Sequence, residues 1–531
     1  MIRRIATALL LGTSSVSAQQ GTVPLYKDLG THTKVVSTKV PLAQQYFNQG
    51  LRLVYGFNHA EAIRSFTRAT ELDPACAMCW WGIAYAYGPH VNAGMDSASG
   101  VKAYEAAQKA LSLSRNAPPR ERAYVRAVAA RYAAVPPANR ARLDTAYANA
   151  MREVARSYPN DLDAAALYAE SLMDLRPWNY WTPAGQPYPG TREIVRQLER
   201  VIARNPRHPG ACHYYIHAVE AVTPQLAVPC AERLARLMPG VGHMVHMPAH
   251  IYVRVGRYGD AATANVHAIH SDEVFIEGQK PTTVYSLAYY PHNIHFLAFV
   301  STLAGKSAQA IENAKALKSK VNIDVARSVG MLQEMVPYYA LTLTTFGRWD
   351  EVLAEPLPPS DIRFPFAMAY YARGVAHAAK GQFAEAAAAL DTVKAIDAAT
   401  AADAESKTAV SIAVHALMAE IASRSGKHAE AVTHFREALK IEDAGLYFEP
   451  PKWYYPIRQS LGAALLKAGR NAEAEAVYRE DLKRFPENGW SLFGLAAALR
   501  AQGKSAEAAS VERRFARAWA GADVKLTASR F

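Results

Sequence analysis

Small and aromatic residues recur along this chain at intervals of 34 residues, and this regularity limits the folds that the chain can adopt. The interval leads from Tyr46 to Trp80 near one end and from Gly469 to Gly503 near the other. Self-similarity at such a period is typical of arrays in which each unit packs mainly on its neighbours. An array also suits a length of 531 residues, which exceeds what one compact core usually supports. Because the apolar residues do not alternate as they do in strands, we expect the units to be helical.

The units resemble tetratricopeptide repeats, in which small and aromatic anchors occupy fixed positions of a helix pair. Counted from Ala43, the anchors of the first unit are Tyr46, Gly50, Ala62, Phe66, Ala69 and Pro74. Counted from Tyr455, a late unit carries Gly462, Gly469, Ala474, Tyr478 and Pro486. The resemblance implies an all-α, right-handed superhelical solenoid whose concave wall is made by the first helix of each pair.

Four segments follow from the positions of these units. They are a signal peptide at 1–18, N-terminal repeats at 19–160, degenerate histidine-rich repeats at 161–320 and C-terminal repeats at 321–531. Arg3 and Arg4 precede an apolar run at 5–11 and a small-residue cleavage site at 16–18, as in secretory signals. The run is too short to span a bilayer, and no later stretch is apolar for long enough. We therefore expect a periplasmic or secreted protein without a membrane span.

The four cysteines suit an oxidising compartment. Cys76 and Cys79 are followed by Trp80 rather than by histidine, so covalent haem attachment is excluded. The two cysteines are either a redox-active pair, or they have a structural role as a disulfide or as two buried thiols. We favour a structural role because no thioredoxin-like pattern surrounds them. Cys212 and Cys230 lie on neighbouring predicted helices and could also be bridged.

Histidines concentrate in the least regular repeats, where ten of the seventeen lie between His208 and His295. The resemblance implies that positions two, five, nine, twelve and thirteen of each first helix face the concave groove. Helix starts at Pro209, Gly242 and Pro291 then place seven histidines on groove-facing positions, namely His213, His217, His243, His246, His250, His292 and His295. We expect seven other histidines to be surface or packing residues, namely His32, His267, His270, His377, His415, His428 and His434.

This pattern predicts a metal site. Paired imidazoles one helical turn apart, such as His213 and His217, offer two ligands from a rigid backbone. Copper is the first choice, with zinc and iron as alternatives, because imidazole suits all three and copper binds most tightly. For any single histidine we favour a role as a hydrogen-bonded groove residue, and for the set we favour metal binding.

Other residues of these helices are assigned roles around the metal. Glu170, Asp174 and Glu220 are candidate ligands, general bases or carboxylates that orient the imidazoles. Arg254 and Asn293 are candidate substrate-binding residues. Salt-bridging and capping roles fit these five residues equally well.

Three functions compete on this sequence. A metal-dependent enzyme acting on a small molecule, with oxidoreductase chemistry favoured over hydrolysis, explains the histidines best. A scaffold that binds a peptide or partner helix in the groove is the commonest use of such repeats, and metal storage or delivery is the third possibility. The net charge of +12 is diffuse and no nucleic-acid module is present, so we expect no nucleic-acid partner. Val300 stands where a phosphate-binding loop ending at Lys306 needs glycine, so we expect no nucleotide cofactor.

Overall fold

The computed structural model describes residues 23–281, 283–401 and 406–531, so the predicted signal peptide lies outside the described residues. The chain forms two compact units. The first unit comprises Met1–Ile251 and His267–Tyr290, and the second comprises Tyr252–Val266 and Pro291–Phe531.

The first unit is built from helix pairs. Its helices are α1 (Pro41–Tyr55), α2 (His59–Leu72), α3 (Ala77–Ala86), α4 (Ser97–Leu113), α5 (Pro119–Ala129), α6 (Ala141–Ser157), α7 (Leu162–Met173), α8 (Thr191–Arg204), α9 (Pro209–Val219), α10 (Val228–Leu237) and α11 (Gly242–His246). Consecutive helices such as α1 and α2, α3 and α4, or α7 and α8 pack on each other, and α1 also packs on α3 and α9. Two unit boundaries fall within α12 (Pro248–Arg254) and α13 (Tyr258–Gln279), and the third falls after Tyr290. A π-helix covers Tyr285–Tyr289.

The second unit repeats the same arrangement. Its remaining helices are α14 (Tyr290–Leu303), α15 (Ser307–Lys320), α16 (Ile323–Ala326), α17 (Gly330–Met335), α18 (Tyr338–Thr345), α19 (Trp349–Ala354), α20 (Arg363–Ala379), α21 (Phe383–Ala399), α22 (Lys407–Arg424), α23 (His428–Ala444), α24 (Ile457–Lys467), α25 (Asn471–Arg484), α26 (Gly489–Ala501) and α27 (Ser505–Ala518). From α20 to α27 the helices pack as successive pairs, and α20 also packs on α22, as α24 does on α26.

The repeated glycines explain why these pairs stack closely. A Cβ atom on Gly50 would lie 2.7 Å from the ring of Phe66, and one on Gly82 would lie 2.4 Å from it. The ring of Phe66 therefore fits between two first helices only because both positions lack a side chain. Tyr478 occupies the equivalent place between Gly462 and Gly494 in the second unit.

The all-α prediction is confirmed within the described ranges, where pairing of extended backbone is limited to two isolated bridges. None of the described helices is both long and apolar enough to cross a membrane.

Candidate metal centre

Three short helices of the first unit carry the histidine cluster. His213 and His217 lie one turn apart on α9, His243 and His246 lie on α11, and His250 lies on α12. The helix starts that the repeat register predicts at Pro209 and Gly242 agree with the structure. Pro248 separates α11 from α12 because proline has no N–H for a helical hydrogen bond and its ring crowds the preceding turn. All five histidines of this cluster are buried.

The first group of converging imidazoles consists of His213, His217 and His243. Each offers one nitrogen, and these nitrogens lie within 4.8 Å of one another. The Nε2 atoms of His213 and His243 are 3.1 Å apart. The Nδ1 atom of His213 lies 2.6 Å from the carbonyl oxygen of Tyr55, which can only accept a hydrogen bond. In a neutral ring Nδ1 therefore carries the proton, and Nε2 of His213 keeps a lone pair.

A single carboxylate fixes two further rings. Oε1 of Glu220 lies 3.1 Å from Nδ1 of His217, and Oε2 lies 2.6 Å from Nδ1 of His250. Both rings donate from Nδ1, so both Nε2 atoms keep lone pairs. Nε2 of His217 has no hydrogen-bond partner within the described ranges, and Nε2 of His250 lies 2.8 Å from Nε2 of His246. The structure therefore gives Glu220 an orienting position beside the imidazoles.

Electrostatics keep these rings ready to bind a cation. Burial lowers the pKa of His213 well below its usual range, and the neighbouring His217 lowers it further. Burial also lowers the pKa of His217, although the hydrogen bond and charge of Glu220 offset part of this shift. Burial raises the pKa of Glu220, but the electrostatic interaction with His250 and the hydrogen bonds from both rings lower it by more, so the carboxylate is ionised. Neutral imidazoles and one anion are the protonation states that metal binding requires.

Two aromatic side chains enclose the cluster. The ring of Phe57 lies 4.5 Å from that of His213 and 5.5 Å from that of His243, between ring centres. Trp178 lies 5.0 Å from His217. Phe57 has φ of 58° and Trp178 has φ of 62°, a left-handed conformation that costs about 1–3 kcal/mol for such residues. The fold retains this strain at two residues that both contact the candidate ligands.

Glu170 and Asp174 lie in a different buried network. Asp174 accepts a hydrogen bond from the guanidinium of Arg131, and Glu170 accepts one of 2.9 Å from the hydroxyl of Tyr85. Burial raises the pKa of Glu170, and burial together with the charge of Glu170 raises the pKa of Asp174. Within the described ranges neither carboxylate belongs to a group that converges with the histidines. Of the three predicted carboxylates, the structure brings only Glu220 to the imidazoles.

Four predicted site residues belong to the second unit: Arg254, His292, Asn293 and His295. His295 is buried against the ring of Tyr338, with 4.1 Å between ring centres. Burial and the charge of Lys452 lower its pKa to about 3. Arg254 donates a hydrogen bond of 2.9 Å to the carbonyl oxygen of Arg484. Their roles in metal or substrate binding stay predictions.

The sequence interpretation missed a second histidine cluster in the first unit. His32, expected at the surface or in packing, and His208 lie 2.9 Å and 3.3 Å from Oδ1 of Asp163. The hydroxyl of Tyr55 donates to the same oxygen at 2.6 Å. Nδ1 of His208 accepts a hydrogen bond from the backbone N–H of Ala211, so the neutral ring carries its proton on Nε2. That nitrogen lies 3.3 Å from the carboxylate oxygen, and His32, Asp163 and His208 form a further group close enough together to hold a metal.

The cysteines of the first unit differ in state. Cys76 and Cys79 form a disulfide at the start of α3, where the sulfur of Cys76 also accepts from the N–H of Cys79. Cys212 and Cys230 are buried free thiols.

Family models of the tetratricopeptide repeat match three stretches of the chain, at residues 367–392, 412–444 and 460–523. The chain contains tetratricopeptide repeats. The stretch at 460–523 agrees with the late unit that the anchors from Gly462 to Pro486 predict. The helices α9, α11 and α12, which carry the five clustered histidines, lie outside the matched stretches.

Other comparisons give weaker results for this repeat protein. No curated protein matches its sequence. Among solved structures, a human IFIT1 dimer with m7Gppp-AAAA is 14% identical, with 91% of each chain covered and a TM-score of 0.34. Yeast Tom70 is 13% identical, with 90% of this chain and 91% of that chain covered and a TM-score of 0.29. At these values the likeness carries no inference about function.

Proposed function

We propose that the first unit binds a transition metal through its histidine cluster and that the protein is a metal-dependent enzyme acting on a small molecule. One observation carries the proposal. The Nδ1 atoms of His213 and His217 each face a fixed hydrogen-bond acceptor, so their Nε2 atoms keep lone pairs, and these two rings converge with that of His243. Metal-bound histidines usually show this arrangement, in which a carboxylate or carbonyl holds the other ring nitrogen.

The distances between imidazoles also support a bound ion. Two nitrogens that each lie about 2.0–2.1 Å from a tetrahedral metal are about 3.3 Å apart. The Nε2 atoms of His213 and His243 are separated by 3.1 Å. A hydrogen bond between two imidazoles satisfies the same distance, but it leaves the nearby Nε2 of His217 without a partner among the described residues. A shared cation would satisfy all three nitrogens.

Imidazole donors favour copper, with zinc and iron as alternatives. Bound copper or iron would supply electron-transfer or oxygen chemistry, whereas zinc would supply a Lewis acid. The residues of the chain would hold and orient the ligands through Glu220 and restrict water through Phe57 and Trp178. Because these donors suit redox metals, we favour an oxidoreductase over a hydrolase.

We place this activity outside the cytoplasm. The charged start, apolar run and small-residue site within residues 1–18 support export. The disulfide between Cys76 and Cys79 also suits an oxidising compartment. Detection of the mature chain, beginning after residue 18, in a periplasmic or secreted fraction tests this address.

Metal titration tests the proposed site. The parent protein, stripped with a chelator and reloaded with copper, should retain at least about one equivalent after desalting. A His217→Ala, His243→Ala double variant should lose most of this metal because two of three converging nitrogens are gone. His267→Ala is the control, since it removes an exposed histidine of the same unit that belongs to none of the converging groups. Negligible binding of copper, zinc and iron by the parent, or full retention by a folded double variant, would reject the proposal.

A second candidate function is a protein-interaction scaffold, supported by the regular repeats at 367–392, 412–444 and 460–523. Metal storage or delivery is a third candidate. Exchange of the bound metal with a chelator within seconds would favour storage or delivery over an enzyme.

A further inference from the structure

Two sulfur atoms approach each other unusually closely where α9 meets α10. The Sγ atoms of Cys212 and Cys230 lie 2.8 Å apart. Even carbon atoms in contact stay about 3.5–4.0 Å apart, and sulfur is the larger atom. A bonded pair needs a separation of about 2.05 Å. The two sulfur atoms therefore lie closer together than ordinary van der Waals contact allows, and their separation is nearer to that of a disulfide bond than to that of two packed thiols.

The surroundings offer these two sulfur atoms few other interactions. Both cysteines are buried, with 0% and 2% of their surfaces exposed. The only other hydrogen bond of either sulfur in the described ranges is a long contact of 3.6 Å from Cys212 to the carbonyl oxygen of Pro206. The helices that carry the cysteines pack directly on each other. Small movements of two side chains would bring the sulfurs to bonding distance without separating the helices.

We propose that Cys212 and Cys230 form a second disulfide, which links α9 to α10 in the functional protein. It forms by exchange with an external disulfide before the helices pack and bury the sulfurs. One cysteine thiolate attacks a sulfur of the donor and expels one donor thiolate, and the second cysteine thiolate then attacks the mixed disulfide and expels the other. The two cysteines lose two protons and two electrons, and the donor disulfide is reduced to two thiols.

The disulfide has two consequences for the histidine cluster. Cys212 directly precedes His213, so a covalent link to α10 restrains the first turns of the helix that presents His213 and His217. Oxidation also removes two thiolates, which are soft donors that compete for copper, from beside an imidazole site. The inference itself rests on the sulfur geometry and is independent of the proposed metal function.

Thiol counting provides the direct test. The full chain is refolded from its reduced, denatured state with a mixture of reduced and oxidised glutathione, in the presence of a metal chelator. It is then denatured again and treated with N-ethylmaleimide without reductant, and adducts are counted by intact mass. We expect no adducts before reduction and four after it, with a linked peptide that contains Cys212 and Cys230. Two adducts in most chains, mapped to these residues, or a linkage of either to Cys76 or Cys79 would overturn the proposal.

Thermal unfolding provides a second test with a matched variant. In a Cys76→Ser, Cys79→Ser variant the proposed bond is the only disulfide that remains. Dithiothreitol should lower its Tm by at least about 2 °C, the shift expected for a loss of roughly 1 kcal/mol in a domain of this size. Dithiothreitol should leave the Tm of a variant with all four cysteines replaced unchanged. Equal responses in the two variants would count against the bond, and the thiol count decides the matter if either variant fails to fold.

Discussion

Glu220 offers the sharpest test of how this chain prepares imidazoles for a metal. Its two carboxylate oxygens accept from Nδ1 of His217 at 3.1 Å and from Nδ1 of His250 at 2.6 Å. Glu220→Gln keeps the shape of the side chain but replaces one acceptor with an NH₂ donor. One of the two rings must then face a donor with its own N–H, and it will rotate or move its proton to Nε2. Either change removes a nitrogen lone pair from the proposed site.

The size of the effect follows from these contacts. Hydrogen bonds to a charged group contribute about 1.5–3 kcal/mol each, and loss of such an orienting partner usually weakens metal binding by about 10–100-fold. That range corresponds to about 1.4–2.8 kcal/mol of binding free energy, so one disrupted contact accounts for the whole expected effect. We therefore expect the copper Kd of Glu220→Gln to rise by about 10–100-fold.

Competition with a chromophoric chelator of known affinity measures this change. Glu61→Gln is the matched control, because Glu61 is a buried carboxylate of the same unit that contacts Tyr26 and Arg64 rather than an imidazole. The control should stay within a factor of about 3 of the parent, which is less than 1 kcal/mol. A Kd for Glu220→Gln that equals the parent value, in a protein with an unchanged circular dichroism spectrum, would refute the assignment of Glu220 as the residue that orients the ligands.

Three further changes test the packing and protonation of the two units. Gly210→Ala places a Cβ atom 2.2 Å from the ring of Tyr55, so urea unfolding should show that the free energy of unfolding falls by about 1–3 kcal/mol. Copper affinity should also fall, because the carbonyl of Tyr55 holds the ring of His213. Unchanged stability would mean that the ring of Tyr55 is free to move. Gly494→Ala, 2.2 Å from Tyr478 in the second unit, should cost a similar amount in the same assay, and a stabilised variant would contradict the close stacking of first helices. Burial lowers the pKa of His59 to about 4, so the unfolded chain binds a proton that the folded chain does not between about pH 6.5 and pH 4. The free energy of unfolding should therefore fall as the pH decreases through that window, with His59 contributing up to about 3 kcal/mol of the fall. The His59→Gln variant should show a smaller fall. Identical pH profiles of the parent and the variant would refute this contribution.

The sequence determined the fold class and the positions of the helices. Glycines and aromatics at a fixed interval specify helix pairs because a ring such as that of Phe66 fits only where Gly50 and Gly82 lack side chains. The same register predicted that helices begin at Pro209 and Gly242, since helical periodicity is a local property.

The histidines were predicted as a set, but their partners were not. Spacing along a helix decides which face a side chain shares, and it placed His213 and His217 together. It does not decide which atom from another segment meets each ring nitrogen. The contact of His32 with Asp163 was not predicted for this reason, because the two residues are distant in the sequence.

Only the tertiary structure decided which imidazole nitrogens keep a lone pair that can bind a metal. A backbone carbonyl at Tyr55 fixes the proton of His213, and no residue type in the sequence signals that role. The left-handed conformation of Phe57 and the shared contacts of Glu220 are likewise set by packing between helices that are far apart along the chain. Local sequence selects backbone conformation through short-range sterics, whereas hydrogen-bond direction and ring enclosure depend on long-range contacts that form only in the folded unit.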